Sequence, residues 1–220
     1  MRFTDRHEAG RRLAERLLAL KPQHPVVLAL PRGGVPVAFE IARALEAPLD
    51  LVLVRKIGAP CQQELAIGAI ADGGEPELVT DRRLIRALTV SADYLDQAKA
   101  AALEEIERRR RAYFGDHPPV DIAKRTAIVV DDGIATGATM LAALRATRRR
   151  RPERLVLAVP VAPRDAMQRM KREVDEAVCL DTPTNFRAVG QFYAQFPQLR
   201  DDEVIALLNE ARVLAAAGQP

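Results

Sequence analysis

Residues 128–140 have the sequence Ile-Val-Val-Asp-Asp-Gly-Ile-Ala-Thr-Gly-Ala-Thr-Met. An apolar run leads into two adjacent carboxylates, Asp131 and Asp132, and a loop of small residues then precedes a helical pattern. In open α/β sheets this order places the loop at the carboxyl end of a strand, where such sheets bind ligands. The stretch therefore predicts an α/β fold with a ligand site at this loop.

The loop has the composition of an anion-binding site. Its glycines and alanines leave room for backbone N–H groups to surround an anion, the two threonines add hydroxyls, and the next helix points its positive end at the loop. The loop has no lysine, and neither G-x-x-x-x-G-K-[ST] nor G-x-G-x-x-G occurs there, which disfavours a nucleoside-triphosphate or dinucleotide site. The predicted phosphate-binding residues are Gly133, Ile134, Ala135, Thr136, Gly137, Ala138 and Thr139.

Two carboxylates beside a phosphate would repel it unless they bound hydroxyl groups or a positive centre of the same ligand. A sugar phosphate has hydroxyl groups, and its ring becomes positively charged when the substituent at C1 departs. The stretch resembles the 5-phosphoribosyl 1-diphosphate motif of type I phosphoribosyltransferases over its whole length, including both acids and the Thr-Gly-x-Thr end. The resemblance implies a pentosyltransferase that binds 5-phosphoribosyl 1-diphosphate with Mg²⁺. Such an enzyme transfers the phosphoribosyl group to a nitrogenous base and releases diphosphate, with Asp131 and Asp132 in catalytic roles.

Outward from the motif, apolar runs alternate with helical periodicities. This alternation predicts a doubly wound, mostly parallel sheet with helices on both faces. An amphipathic helix that begins after Asp5 precedes the first strand. The predicted strands are 25–30, 49–54, 125–130, 154–161 and 176–180, and the helices between them are 37–45, 139–149 and 164–171.

Three additions to this core are predicted. Segments 65–70 and 77–80 flank Asp72-Gly73-Gly74, which favours a β-hairpin arm. Residues 91–114 have the pattern of a long exposed helix that ends at Gly115. We expect one domain over residues 1–220, with a core at about 22–180, the helical insertion at about 91–114 and a C-terminal hood at about 181–220.

Two further segments are expected at the same edge of the sheet. Pro31-Arg32-Gly33-Gly34 follows the first strand, and the resemblance implies that Arg32, Gly33 and Gly34 bind diphosphate. Arg55 and Lys56 close the predicted second strand, and the resemblance implies a catalytic role for them at the leaving diphosphate. The polar segment 57–64 after them predicts a mobile lid. Mg²⁺ would be held by substrate oxygens and water, without a dedicated protein cage.

The segment Thr184-Asn-Phe-Arg-Ala-Val-Gly190 resembles the base-stacking segment of purine-type family members. The resemblance nominates Phe186 as the ring that stacks on the acceptor base, with Phe192 and Tyr193 nearby. A core aromatic that seals the hood is the alternative interpretation. No acid follows soon after the Val-Gly step, which departs from the 6-oxopurine pattern, so the identity of the base stays open.

Composition limits the other functional classes. The chain has 48% hydrophobic and 29% charged residues and a formal net charge of only +3, which is small for a nucleic-acid-binding protein. No apolar run is long enough to span a bilayer, and the N-terminus has no signal core, so we expect a cytoplasmic protein with no membrane partner. Cys61 and Cys179 lie far apart, which favours neither a disulfide nor a zinc site.

Two alternatives to an enzyme stay open. A regulator that senses 5-phosphoribosyl 1-diphosphate and binds nucleic acid would use the arginine runs 108–111 and 148–151, although both lie near predicted helix C-termini, where cations offset the helix dipole. A phosphosugar-binding or hydrolytic protein would need no base. We expect no nucleic-acid partner, and assembly into a homo-oligomer stays open.

Overall fold

The computed structural model describes residues 2–60, 62–72, 77–115 and 117–217. Its strands are β1 (Val26–Ala29), β2 (Leu49–Leu51), β3 (Val54–Ala59), β4 (Gln62–Ala71), β5 (Glu77–Thr80), β6 (Thr126–Val130), β7 (Arg154–Val161) and β8 (Glu176–Asp181). Its helices are α1 (Arg6–Leu17), α2 (Gly34–Leu45), α3 (Arg82–Ala87), α4 (Ala92–Phe114), α5 (Ala138–Arg149), α6 (Arg164–Met170) and α7 (Asp201–Ala217).

The main sheet has five parallel strands in the order β2-β1-β6-β7-β8. Successive residues of a strand point to opposite faces, and both faces are apolar here. Ile128 and Val130 of β6 pack with residues of α1, α2 and α7, whereas Ala127 and Val129 pack with α5 and α6. Helices therefore cover both faces, and the predicted doubly wound α/β fold is confirmed.

The second sheet is the antiparallel arm β3-β4-β5, which departs from the prediction at its start. The strand expected over 49–54 ends at Leu51, and Arg55 and Lys56 lie inside β3 rather than at the end of β2. The chain leaves the main sheet here because Leu53 forms hydrogen bonds with Asp72: its N–H donates to Oδ1 at 2.9 Å, and its carbonyl accepts the Asp72 N–H at 2.9 Å. A contact between residues this far apart in the sequence is invisible to a local pattern.

The segment expected to be a lid, 57–64, belongs mostly to this arm. Ile57 and Ala59 of β3 are buried with Ile67 of β4 in a small apolar cluster beneath α3 and α4. The segment is therefore paired β-structure rather than a polar loop, while its mobility stays a prediction. Cys61, the side chain of Glu64 and the Gly73-Gly74 turn lie outside the described residues.

Helix α4 matches the predicted insertion. The Ser91 hydroxyl caps it by accepting the Tyr94 N–H at 3.2 Å, and Gly115 follows its last residue. Its C-terminal end is anchored rather than free, because Phe114 is buried in the main core and Arg110 pairs with Asp72 of the arm. Within the described ranges, no helix combines the length and apolarity needed to cross a bilayer.

Several arginines of the two runs form ion pairs with acidic residues of the chain. Arg108 and Arg109 pair with Glu105, and Arg111 pairs with Glu107 one helical turn away. In the second run, Arg148 lies 2.9 Å from Asp175. These contacts fit the interpretation of the runs as solvated, ion-paired helix ends, while the absence of a nucleic-acid partner stays a prediction.

Candidate functional site

The loop after β1 and the acidic pair after β6 meet at the carboxyl edge of the main sheet. The Leu30 N–H donates to the Val130 carbonyl at 2.9 Å, which extends the strand pairing to the start of both loops. A methyl group on Gly33 would lie 2.1 Å from Oδ2 of Asp132, and one on Gly34 would lie 2.7 Å from the Val130 oxygen. Only glycine allows this approach, so the predicted diphosphate loop contacts the acidic pair directly.

The two acids occupy different surroundings. Oδ1 of Asp131 accepts the N–H of Asp132 at 2.8 Å. Oδ2 of Asp132 accepts from Nε of Arg6 at 2.8 Å, and the Asp132 carbonyl accepts the Tyr193 hydroxyl at 2.7 Å. The Asp132 side chain is only 13% exposed. Asp132 is therefore held by the N-terminal helix and the C-terminal region, whereas Asp131 is held by its own loop.

Burial controls the charge of this pair. It raises the pKa of Asp131 well above its usual value, and repulsion from Asp132 raises that pKa further. Burial also raises the pKa of Asp132, but the Arg6 guanidinium opposes the shift. Lys56 is a further positive charge that lowers the pKa of Asp131. The site therefore contains two carboxylates with unequal tendencies to ionise.

The loop at 133–139 has the form expected of an anion site. Among the residues that the structure describes, the amides of 135–139 donate to no backbone carbonyl. Gly137 has φ of +85°, a conformation that favours glycine, and it precedes the first residue of α5. Arg169 of α6 donates to the Thr136 carbonyl at 3.0 Å and fixes the exposed part of the loop. Amides without a backbone partner at a helix N-terminus are groups that can bind an anion.

Arg32 lies in the loop after β1, where the sequence places the diphosphate contact. Its guanidinium is 3.9 Å from Asp201 at the first turn of α7. The Tyr113 hydroxyl donates to Oδ1 of the same carboxylate at 2.6 Å. Burial and this hydrogen bond raise the pKa of Tyr113 to about 12. The described arrangement thus holds Arg32 beside an acid of the chain itself.

The structure separates Arg55 from Lys56. Consecutive residues of a strand face opposite sides, and Lys56 lines a cleft of about 840 Å³ that also includes the loop residues Thr136, Gly137 and Ala138. Arg55 lines a different cleft, of about 410 Å³, along α4, to which Lys56 also contributes. The two side chains were predicted to act together, but only Lys56 shares a cleft with the phosphate loop.

The three aromatic residues predicted near an acceptor base have unequal exposure. Phe192 is 7% exposed and Tyr193 is 3% exposed, and both pack in a cluster with Phe3 of the N-terminal segment. Phe186 is half-buried and stacks on Phe192 with 5.4 Å between ring centres. Phe192 and Tyr193 thus take the alternative position, that of core aromatics sealing the hood, and only Phe186 keeps an accessible face.

Arg6 is the site residue that the sequence analysis did not identify. It begins α1, where a cation is unfavourable because the helix N-terminus is itself positive. That misplaced charge is the signal that could have identified it, because such a residue needs a partner outside its own helix. The partner is Asp132, which lies 126 positions away in the sequence.

Comparison with known protein families gives a match over most of the chain. The model of the phosphoribosyl transferase domain matches residues 4–197. This range contains both loops, the acidic pair, the arm and the aromatic residues of the hood.

Similar proteins include examples from Mycobacterium tuberculosis and Thermus thermophilus. A candidate phosphoribosyl transferase in two strains of Mycobacterium tuberculosis is 47% identical over 217 residues, which covers 98% of this chain and 48% of that protein. The chain therefore spans about half the length of the curated relatives it matches. The crystal structure of TT1426 from Thermus thermophilus has a TM-score of 0.81 at 44% identity, covering 96% of this chain and 99% of that one.

Proposed function

The chain belongs to the phosphoribosyl transferase domain family, as the motif at 128–140 predicted, and we propose that it transfers a phosphoribosyl group from 5-phosphoribosyl 1-diphosphate to a nitrogenous base. The observation that carries this proposal is the convergence of three groups at one sheet edge. Asp131 and Asp132 contact the glycine loop 32–34, and the amides of 135–139, which donate to no backbone carbonyl, follow the pair in the same loop. Their order suits the phosphate, the ribose hydroxyls and the diphosphate of one substrate.

In this proposal the 5-phosphate binds the amides and hydroxyls of residues 133–139. The acidic pair accepts hydrogen bonds from the ribose hydroxyls and stabilises the positive charge that develops on the ring as the bond from C1 to diphosphate breaks. The contribution of the protein is placement and electrostatics, because a nitrogen lone pair of the acceptor forms the new bond.

The diphosphate side of the site requires positive charge. Gly33 and Gly34 offer a close approach to the backbone, and Arg32 and Lys56 supply cations that neutralise the leaving group. Arg55 faces the cleft along α4, so in this proposal it has a lesser part than Lys56.

Mg²⁺ is the proposed cofactor. It prefers oxygen ligands and keeps several waters. Among the described residues, no group of three or more His, Cys, Asp or Glu side chains is arranged to hold a metal ion. Diphosphate oxygens and water would therefore hold Mg²⁺, and the ion would neutralise part of the leaving-group charge.

The acceptor is proposed to stack on Phe186, which is half-buried, whereas Phe192 and Tyr193 are buried. Stacking on a flat ring suits purines, pyrimidines and other planar nitrogen heterocycles alike. Replacing Phe186 by alanine should weaken acceptor binding and leave the affinity for 5-phosphoribosyl 1-diphosphate nearly unchanged. The reverse result would place the base elsewhere.

A diphosphate-release assay tests the activity. The purified chain is incubated with Mg²⁺, 5-phosphoribosyl 1-diphosphate and a panel of purines, pyrimidines and other nitrogenous acceptors. We expect release that requires one of the acceptors. Release without any acceptor would indicate a hydrolase, whereas no release together with salt-dependent binding of nucleic acid would favour the regulator.

Matched lysine variants test the leaving-group role. Lys56→Met should lower turnover about 100-fold with little change in KM, because its charge acts mainly on the transition state. Lys171→Met serves as the control, since this exposed lysine follows α6 outside both clefts. A loss confined to KM in Lys56→Met would contradict the role.

A further inference from the structure

Arg6 joins three parts of the site through one side chain. Its Nε donates to Oδ2 of Asp132 at 2.8 Å, and one terminal nitrogen donates to the carbonyl of Pro197 at 2.9 Å. Its guanidinium lies 3.8 Å from the centre of the Phe196 ring, in cation–π geometry. The side chain is only 9% exposed. The N-terminal helix, the acidic pair and the hood are thus connected by a buried cation.

The helix that carries Arg6 is firmly placed. A methyl group on Gly10 would lie 2.6 Å from the carbonyl oxygen of Val37, so α1 and α2 pack with their backbones in close approach. Helix α2 begins at Gly34, directly after the diphosphate loop. The geometry of this helix pair therefore fixes Arg6 relative to the loop that contacts Asp132.

The position of Arg6 at the start of α1 is unfavourable for the helix itself. A cation in the first turn opposes the helix dipole. The buried contacts to Asp132 and Pro197 offset this cost. A residue with only a local structural role would have no need of a guanidinium at this place.

Arg6 also gives the two oxygens of the Asp132 carboxylate different surroundings. The oxygen Oδ2 is enclosed between the Arg6 guanidinium and the Cα of Gly33. The second oxygen, Oδ1, is then the one that remains for a ligand hydroxyl. A guanidinium fixes such an orientation better than an ammonium group because its donors are rigid and planar.

The charged and titratable groups around the acidic pair come from three other segments. Arg6 and Asp5 belong to the N-terminal segment, Lys56 belongs to the arm, and Tyr193 belongs to the hood. Burial and the nearby carboxylates raise the pKa of Tyr193, so its hydroxyl stays neutral and donates to the Asp132 carbonyl. Arg6 is the cation paired directly with Asp132.

We propose that Arg6 is a positioning residue that keeps the negative charge of the acidic pair on Asp132 and turns Oδ1 of that carboxylate toward the ribose of the substrate. The part that concerns ribose rests on the proposed function, whereas the part that concerns charge does not. Asp131 is then the member of the pair that holds a proton at a higher pH.

Carboxyl titration by ¹³C NMR tests the charge assignment without any substrate. The full chain is labelled at the aspartate carboxyl carbons, and the signals of the pair are assigned with Asp131→Asn and Asp132→Asn. In Arg6→Met the titration midpoint of Asp132 should rise by at least about one pH unit, because an opposite charge at this distance lowers a carboxyl pKa by that amount or more. Arg6→Lys should give a smaller rise, and Arg16→Met, an exposed arginine on the same helix, should give none.

The second readout is the pH dependence of 5-phosphoribosyl 1-diphosphate binding by calorimetry. The acidic limb of the wild-type profile should move to higher pH in Arg6→Met by the same interval as the NMR midpoint. A lower melting temperature with an unchanged Asp132 titration would show that Arg6 is only structural and would overturn the proposal.

Two outcomes keep this test independent of the proposed function and of folding. If the wild-type chain fails to bind the substrate, the proposed function fails, and the NMR shift still decides whether Arg6 sets the charge of Asp132. If Arg6→Met does not fold, Arg6→Gln removes the charge while keeping a hydrogen-bond donor at the same place. An unchanged Asp132 midpoint in Arg6→Gln would also overturn the proposal.

Discussion

Replacing Asp131 and Asp132 by asparagine, one at a time, should affect stability by unequal amounts. Asparagine keeps the shape and the acceptor oxygen, so each substitution removes mainly a charge. Asp131→Asn removes a carboxylate that burial and Asp132 both disfavour. Asp132→Asn removes the carboxylate that neutralises the buried guanidinium of Arg6.

The magnitudes follow from the structure. Each unit by which the folded state raises the pKa of Asp131 costs about 1.4 kcal/mol of stability when that group is ionised. Asp131→Asn should therefore gain at least about 1 kcal/mol at pH above the folded pKa. Asp132→Asn converts a charged hydrogen bond to Arg6 into a neutral one, and such bonds are worth about 1.5–3 kcal/mol. Because burial also raises the pKa of Asp132, removing that charge relieves a desolvation cost that offsets the lost bond, and a net change near zero is expected.

The direction of the pH dependence is determined by the raised pKa values. The folded state holds its protons to a higher pH than the unfolded chain does. The stability from protonation is therefore complete below the unfolded pKa, about 3.9 for aspartate, and is lost as pH rises through the folded pKa. The difference between the two variants should be about 1 kcal/mol or more near about pH 8 and should shrink toward about pH 4.

Urea denaturation followed by circular dichroism measures these differences at each pH. Both variants should have the same m-value as the wild type, since neither changes the area exposed on unfolding. Equal destabilisation by both substitutions, without dependence on pH, would refute the assignment of unequal roles to the pair.

Two further predictions concern contacts around the site. Asp201→Asn should lower the pKa of Tyr113 from about 12, because a carboxylate that helps to raise it is removed; ultraviolet absorbance measures this ionisation. The same variant removes the acid beside Arg32 and should tighten the binding of diphosphate, which calorimetry measures. Arg110→Met should leave Asp72 buried without its cation, destabilise the chain by about 3 kcal/mol and raise amide exchange in β4, whereas exchange in β7 at temperatures well below unfolding should not change.

The parts of the fold that depend on local pattern were predicted closely. Strand β7 has the predicted bounds. Helix α4 starts at Ala92, one residue after the predicted position, and Ser91 is its N-cap. In both cases the burial pattern and the end signals lie in the same short stretch of sequence. The loop at 133–139 belongs to this class, because its glycines, hydroxyls and following helix are contiguous.

The predictions that were wrong or missing depend on contacts between distant segments. The apolar run through Val54 gave no sign that the strand would end at Leu51, because the cause is the pairing of Leu53 with Asp72. Helix α3 was missed because it is short and buries no side chain fully. Arg6 was missed for a related reason, since the sequence shows an ordinary arginine and the structure alone supplies its partner.

The charges at this site indicate how it can accept a polyanionic substrate. Arg32 lies beside Asp201, Lys56 lowers the pKa of Asp131, and Arg6 pairs with Asp132, so each cation already has an acid near it. A diphosphate that binds Arg32 would compete with Asp201 for its guanidinium, which lies 3.9 Å from that carboxylate. Arg6 differs from Arg32 and Lys56 because its side chain is buried. It contacts Asp132, the Pro197 carbonyl and the Phe196 ring, so a substrate anion cannot replace Asp132 as its partner. In the proposed reaction, Arg32 and Lys56 would therefore bind the leaving group, whereas Arg6 would hold the acid proposed to contact the ribose.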